Sequence, residues 1–231
     1  GPGSVLYGSD AIGGVINLVT RAPEFSAGGW TRALESRAGI SAGAVEQRGR
    51  LGFSLASPSV AVRGGVSAHN VGDMRAGGSR GTLSPSGFGE AAGDLALAAR
   101  LAPGHLLTAT LQAHHQGDVP RWDQVVQRGF SRYAVDPQTR QLASLRYAAQ
   151  ALGWADTVAA TASFQRTDER RRIQRAGSVT DTTERDRVRT VGLSVDVQKR
   201  LSPQLVLQGG GEIYADAVSS RRIDLDTRTD V

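Results

Sequence analysis

Apolar and polar residues alternate along most of this chain with a period of two, the pattern of strands whose two faces meet different surroundings. Trp30, Leu34, Ala38 and Ile40 share one face of the first run. Leu51, Phe53 and Leu55 share one face of the second, with Arg50 and Ser54 on the other. Val60, Val62 and Val66 mark the third, opposite Arg63, Ser67 and His69. Later runs are cleaner: Leu95, Leu97, Ala99 and Leu101 against Asp94 and Arg100, then Leu107, Ala109, Leu111 and Ala113 against Thr108, Thr110, Gln112 and His114. Leu145 to Ala151, Val158 to Phe164 and Val191 to Val197 repeat the pattern, and a last run spans Leu205 to Asp216. This predicts about nine antiparallel strands of about ten residues, the length that a tilted strand needs to cross a bilayer.

The connections alternate in length. Short turns fall at Ser57-Pro58-Ser59, Ala102-Pro103-Gly104, Gly153-Trp154-Ala155-Asp156 and Ser202-Pro203-Gln204. Long polar stretches, Gly72 to Glu90, Gly117 to Arg140 and Glu169 to Arg187, lie between them. Short turns on one side and long loops on the other form the hairpin ladder of an outer-membrane barrel. Hydrocarbon leaves no backbone group to water, so strands there must close into a barrel. An odd strand count with a bare final edge predicts that the chain is a fragment, broken near Val231 in an outer loop.

Composition sharpens this picture. Apolar residues make up 39% of the 231 and glycines number 29. That is lean for a packed core but ample for a barrel that needs apolar side chains on its outer face alone. No apolar run approaches the roughly 18 residues of a spanning helix. Lys199 is the one lysine, so 26 of the 27 basic residues are arginine, and the formal net charge is +5. Cysteine is absent, which excludes disulfides and thiolate metal sites. No secretory signal opens the chain.

Upstream of the alternation stands Ser4 to Thr20, SVLYGSDAIGGVINLVT, a glycine-punctuated turn followed by a β-branched run. A phosphate-cradling loop would need G-x-x-x-x-G-K-[ST], which is missing, and an unrelated β-turn is the plainer alternative. Gly1-Pro2-Gly3-Ser4 also fits the remnant of a cleaved expression tag. The stretch resembles the end of the plug domain of TonB-dependent outer-membrane receptors, which reads GP-x-S-x-x-YG-x-x-A-x-GGVIN-[IL]-[IV]-T. Tyr7, Gly8, Gly13, Gly14 and Asn17 stand where that plug-closing motif wants them, as do Gly1, Pro2, Ser4, Ala11, Val15, Ile16 and Thr20.

The resemblance implies an all-β fold: residues 1–24 as the C-terminal end of the plug, and 25–231 as the N-terminal part of a transmembrane β-barrel. The family's barrel has about 22 strands, so this chain would supply under half of it. It implies a receptor in the outer membrane of a Gram-negative bacterium, taking up an iron chelate, haem or a scarce nutrient such as cobalamin. The partners would be the TonB energy-transducing complex, which grips a plug segment upstream of this chain, and the lipid and lipopolysaccharide around the barrel. A surface-exposed structural or adhesive β-protein and a passive porin are the alternatives. No fixed repeat marks a solenoid, and the plug-like opening argues against an open pore.

Asp118-Val119-Pro120-Arg121-Trp122-Asp123 opens the second long stretch. It is similar to a D-[VI]-P-R-[YW]-D string in these receptors, notably those for haem. Pro120 stiffens the exit from the sheet, and Arg121 between two aspartates predicts a local ion-pair knot, with ligand contact by Arg121, Trp122 and Asp123 as the second reading. His69 and His114 face the polar side near the outer rim, where a haem or metal ligand would be placed. Solvated lumen residues are the simpler reading, since no H-x-x-x-H or H-E-x-x-H spacing occurs. Arg170, Arg171, Arg172 and Arg175 read as a solvated, locally paired run or as a contact to lipopolysaccharide phosphates. Nucleic-acid binding would need basic residues interleaved with stacking aromatics. No local signature places a nucleophile beside a base, and neither an enzyme nor a resident cofactor is expected.

Overall fold

The computed structural model describes residues 20–43 and 45–228, and the plug-closing residues Tyr7, Gly8, Gly13, Gly14 and Asn17 lie outside them. In chain order the strands are β1 (Thr31–Ser41), β2 (Glu46–Ala56), β3 (Val60–Val71), β4 (Met74–Arg75), β5 (Thr82–Leu83), β6 (Phe88–Ala102), β7 (His105–Gly117), β8 (Val119–Pro120), β9 (Phe130–Leu152), β10 (Ala155–Arg175), β11 (Thr180–Ser202) and β12 (Leu205–Asp226). Nine of these are long and form one antiparallel sheet in the order β1-β2-β3-β6-β7-β9-β10-β11-β12, with β8 joined to β9. Each predicted apolar run lies in one of the nine, except that Trp30 precedes β1. The sheet is open: β1 and β12 are its two edges.

Register turns nine separate alternations into two continuous faces, because residues directly opposite in neighbouring strands share a face. Leu34 faces Phe53, Phe53 faces Gly64 and Gly64 faces Leu95. Leu95 faces Leu111, Leu111 faces Ala143, Ala143 faces Phe164 and Phe164 faces Val191. Leu145, Ala162, Leu193 and Ile213 form the row beside it. A one-residue slip in any strand would put its leucines on the opposite face, so the belt fixes the register.

Nothing in the described residues covers this belt. The helical turns are Gly78–Arg80 and Asp123–Gln127, both in loops. The buried hydrophobic residues are all alanines, whereas Leu34 is 89% exposed, Ile213 68% and Leu193 54%. A soluble protein rarely leaves an apolar patch beyond a few hundred Å² in water. A single-layer sheet with a bare apolar belt matches a wall in hydrocarbon, whose outward side chains are solvated by lipid. At the short-turn end, Tyr147 and His105 on the belt face join through a 2.6 Å hydrogen bond, and Trp154 stands exposed in the turn, as expected of interfacial anchors.

The opposite ends depart from the sequence reading. Glu169 to Arg187 is not a loop: β10 continues to Arg175, and β11 begins at Thr180 after a tight turn. Within Gly117 to Arg140, β9 already begins at Phe130. Gly72 to Glu90 holds the β4–β5 ribbon and the first residues of β6. The strands β9 to β12 are 21 to 23 residues long, about twice the expected length. These stretches alternate one polar residue with another, so no apolar contrast reveals the period. The ladder persists because its backbone hydrogen bonds do not depend on which side chains flank them, and cross-strand ion pairs add to it. The four arginines placed at a loop base therefore sit on β10: by register Arg170 and Arg172 fall on the belt's face and Arg171 on the other.

The two faces predict opposite responses to the same change. Leu193→Arg, at mid-belt, is expected to cost about 2–4 kcal/mol of folding stability in lipid vesicles, and Ser194→Arg, one residue along, under about 1. Reversible denaturant unfolding in vesicles measures both.

Candidate functional site

The face opposite the belt carries the polar chemistry, and the chain's own entry marks it as the inner side. Residues 20–30 form no strand and run against this face at the short-turn end. Arg63 donates to the Arg21 carbonyl oxygen at 3.1 Å, and the Arg100 guanidinium lies 4.0 Å from the centre of the Phe25 ring. The Ser26 amide donates to the Ser57 carbonyl, and Pro23 is buried. The segment that follows the plug-like motif is thus strapped to the polar wall. Between strap and wall is a hollow lined by Arg21, Arg63, Asp94, Gln112, His114 and Arg140.

Farther up the wall, Arg50 on β2 reaches over Gly65 on β3 to pair with Asp94 on β6 at 2.6 Å. A Cβ on residue 65 would lie 2.8 Å from the Arg50 Nη2 and 2.6 Å from the Leu51 carbonyl oxygen. Glycine here is required for the close approach of that side chain.

Nearer the rim the two histidines singled out from the sequence come together. The His69 Nδ1 lies 2.9 Å from Glu90 Oε1, and its Nε2 lies 2.9 Å from Glu46 Oε1. The His114 Nε2 is 3.4 Å from the other Glu90 oxygen. Carboxylates only accept, and a neutral imidazole donates through one nitrogen, so both His69 contacts are hydrogen bonds at once when the ring carries its second proton. The histidines belong to a carboxylate-bridged chain across β2, β3, β6 and β7. Glu46 and Glu90 were missed in the sequence, because their partnership depends on register between strands far apart in the chain. Among the described residues no group of three or more His, Asp or Glu side chains is arranged to hold a metal ion.

The Asp118–Asp123 string builds a fixed loop base. Asp118 takes a positive φ of 52°, and its amide donates to the Asp136 carboxylate at 3.3 Å. Val119 and Pro120 pair with Val135 and Ala134 of β9, and the Arg121 amide donates to the Tyr133 carbonyl. Arg121 then grips Asp123 through Nε and Nη2, both at 3.0 Å, at the start of the helical turn Asp123–Gln127, with Trp122 half-buried before it. The expected knot between two aspartates is therefore a clamp with one, since Asp118 uses its backbone elsewhere. The Arg121 guanidinium holds the Asp123 carboxyl down to about 2. The neighbouring loop closes similarly: Asp73 accepts the Ser86 and Gly87 amides at 2.7 and 2.9 Å. A Ser84 hydroxyl contact and these amides keep its carboxyl below the usual range.

No family model matches this sequence, and no curated protein matches it either. Among solved structures the chain is similar to one described as the copper transporter OprC, with a TM-score of 0.75 at 16% identity over 91% of this chain. The chain spans 32% of that structure, about a third of its length. At such low identity the likeness establishes the fold: an all-β antiparallel sheet of the β-barrel kind.

The Arg121–Asp123 clamp predicts a pH response of known sign. A depressed carboxyl contributes its stabilisation fully above the ordinary aspartate value of about 4, and loses it as pH falls through about 2. A spin label on Gln127→Cys is expected to be immobilised at neutral pH and to gain mobility between about pH 4 and pH 2. With Asp123→Asn added, the label is expected to be mobile throughout.

Proposed function

We propose that this chain is a wall segment, with the end of the gate, of a TonB-dependent outer-membrane transporter. The observation that carries the reading is the two-faced single-layer sheet: an uncovered apolar belt on one side, and on the other a polar wall to which the segment after the plug-like motif is strapped. The likeness of fold to a structure described as a transporter supports it. The chain spans a third of that structure, so transport belongs to the whole assembly rather than to these strands alone. In this reading the protein resides in the outer membrane and has no catalytic role of its own.

The cargo is a scarce nutrient that binds at the loop-bearing end and passes along the polar wall when the energy-transducing complex pulls the plug. An iron chelate, haem and cobalamin follow from the motif resemblance. Copper joins them because the similar structure is described as a copper transporter. The clamp at Arg121 and Asp123 rigidifies the loop that would meet such a cargo, leaving Trp122 and the exposed turn beyond it as contact surface. The carboxylate-bridged histidines at the rim add a titratable cluster where cargo would enter, with Glu46 also 3.6 Å from Arg48.

Cells carrying the intact gene are compared with deletion cells on limiting ferric chelate, haem, cobalamin or copper, with and without a functional TonB complex. Expected is loss of uptake for one of the four on deletion of either gene. Unchanged uptake of all four would overturn the proposal.

A further inference from the structure

Three outward connections have their bases at the rim cluster. His69 stands near the end of β3 and Glu90 near the start of β6, directly opposite each other, where the stretch 72–87 leaves the sheet and returns to it. Glu46 is the first residue of β2, just after the turn that follows β1. His114 lies near the end of β7, shortly before the Asp118–Asp123 string. The contacts of His69 and His114 therefore tie β2, β3, β6 and β7 together at the places where their connections depart. The β3–β6 ladder ends two pairs farther on, at Val71 and Phe88. Strand ends open before strand middles, so a side-chain tie at this level decides how firmly the connections are held.

Every element around the His69 ring contributes to its charge balance. From β2 come Glu46 and Arg48, the latter directly opposite His69 in the ladder and 3.6 Å from Glu46. From β6 come Glu90 and the Phe88 ring, which meets the imidazole edge-on at 6.4 Å between centroids. From β7 comes His114, on the far oxygen of Glu90. Arg37 of β1 and Arg50 of β2 line the same hollow, each with a carboxylate of its own, Glu35 and Asp94. On β3 itself the neighbours on this face, Ser67 and Val71, carry no charge. Two carboxylates thus converge on one ring, each 2.9 Å from a different nitrogen. With both nitrogens protonated the ring donates to both. With one proton, one carboxylate faces a bare lone pair, and repulsion replaces a hydrogen bond. The side chain is 27% accessible, so it exchanges protons with water while its contacts stay partly shielded.

We propose that His69 is a proton-operated staple at the rim: doubly protonated, it holds the β1–β2 turn and the stretch 72–87 to each other through Glu46 and Glu90, and on losing a proton it releases one of them. The sign follows from the charge states. The full set of contacts needs ionised carboxylates and a charged ring, so it is complete from about pH 5, above the ordinary glutamate value. It is lost as pH rises through the titration of the ring. For its consequence the inference rests on reading the loop-bearing end as the cargo-facing end: the surface that meets cargo is firm in mild acid and loosens in alkali.

The test uses the whole protein in zwitterionic micelles, with spin labels on Gly43→Cys in the β1–β2 turn and Ser79→Cys in the stretch 72–87, both exposed positions. These 231 residues hold no other cysteine. The distance distribution between the labels is measured by double electron–electron resonance from about pH 5 to about pH 9. Expected is a narrow distribution in acid that broadens about twofold or more in a single step as pH rises. His69→Gln removes the titrating ring and is expected to give one distribution at every pH. His115→Gln, an exposed histidine on the belt's face, is the control and is expected to keep the step. Glu46→Gln is expected to move the midpoint to lower pH by about half a unit or more, since one of the two anions that favour the charged ring is gone. A width that does not change with pH, a step that survives His69→Gln, or a midpoint unmoved by Glu46→Gln would overturn the proposal. The step is read without cargo, so its absence sinks the staple alone. Unchanged uptake of all four nutrients sinks the transporter reading and leaves the staple standing.

Discussion

In the outer-membrane reading proposed above, backbone hydrogen bonding in a medium without water is the constraint on which this structure depends. Each amide and carbonyl at hydrocarbon depth must find a partner in the protein, and a β ladder supplies one only if the neighbouring strand is in register. The nine long strands meet that demand along an unbroken antiparallel path, except at the outward edges of β1 and β12. The belt and the polar wall follow from the ladder, since fixing one strand's register assigns every side chain of the next to one side or the other. No dry core is needed. Alanines and glycines suffice along the seams, because in that reading lipid outside and water inside take the place of packed layers.

The same constraint explains how much the sequence disclosed. The period-two pattern of residues such as Leu107, Leu111, Leu145 and Leu193 located all nine strands, because along the belt the two faces contrast in polarity. Above the belt the contrast vanishes while the ladder continues. Arg170, Arg171 and Arg172 gave no period to read, and a hairpin was taken for a loop. The short turns around Pro58, Pro103 and Pro203 were legible because proline and glycine leave few other conformations. The rim cluster was half legible: alternation put His69 and His114 on the polar face, but Glu46 and Glu90 join them only through cross-strand register. Arg121 was legible as a pairing residue, though its neighbour Asp118, turned by its positive φ, was not the partner. The plug-like motif lies outside the described residues, and the strap from Arg21 to Ser26 is the segment after it that meets the wall.

Charge is sorted as deliberately as hydrophobicity. On the inner face of the tall strands Arg171 and Arg222 are closed into networks with carboxylates, while on the belt's face Arg166, Arg185 and Arg187 crowd Asp168. Asp168 has only a tenth of its side chain accessible, and its carboxyl is held well below the ordinary range wherever these guanidinium groups surround it. The wall therefore has a definite outside as well as a definite top.

The unequal ends of the strands also make insertion directional. The end with two- and three-residue connections presents proline, glycine, serine and a tryptophan with few charges, among them the Lys199–Asp156 pair at 3.5 Å, and so costs less to carry through hydrocarbon. The tall end of β10 to β12 bears a dense set of arginines and carboxylates, each costing several kcal/mol to drag across a bilayer core. Unassisted, the sheet can thread a membrane turn-first and no other way. In the outer-membrane reading, a cell that delivers this chain from the turn side must therefore open a path through the lipid for the tall end, and the height of β9 to β12 sets how much help that step needs.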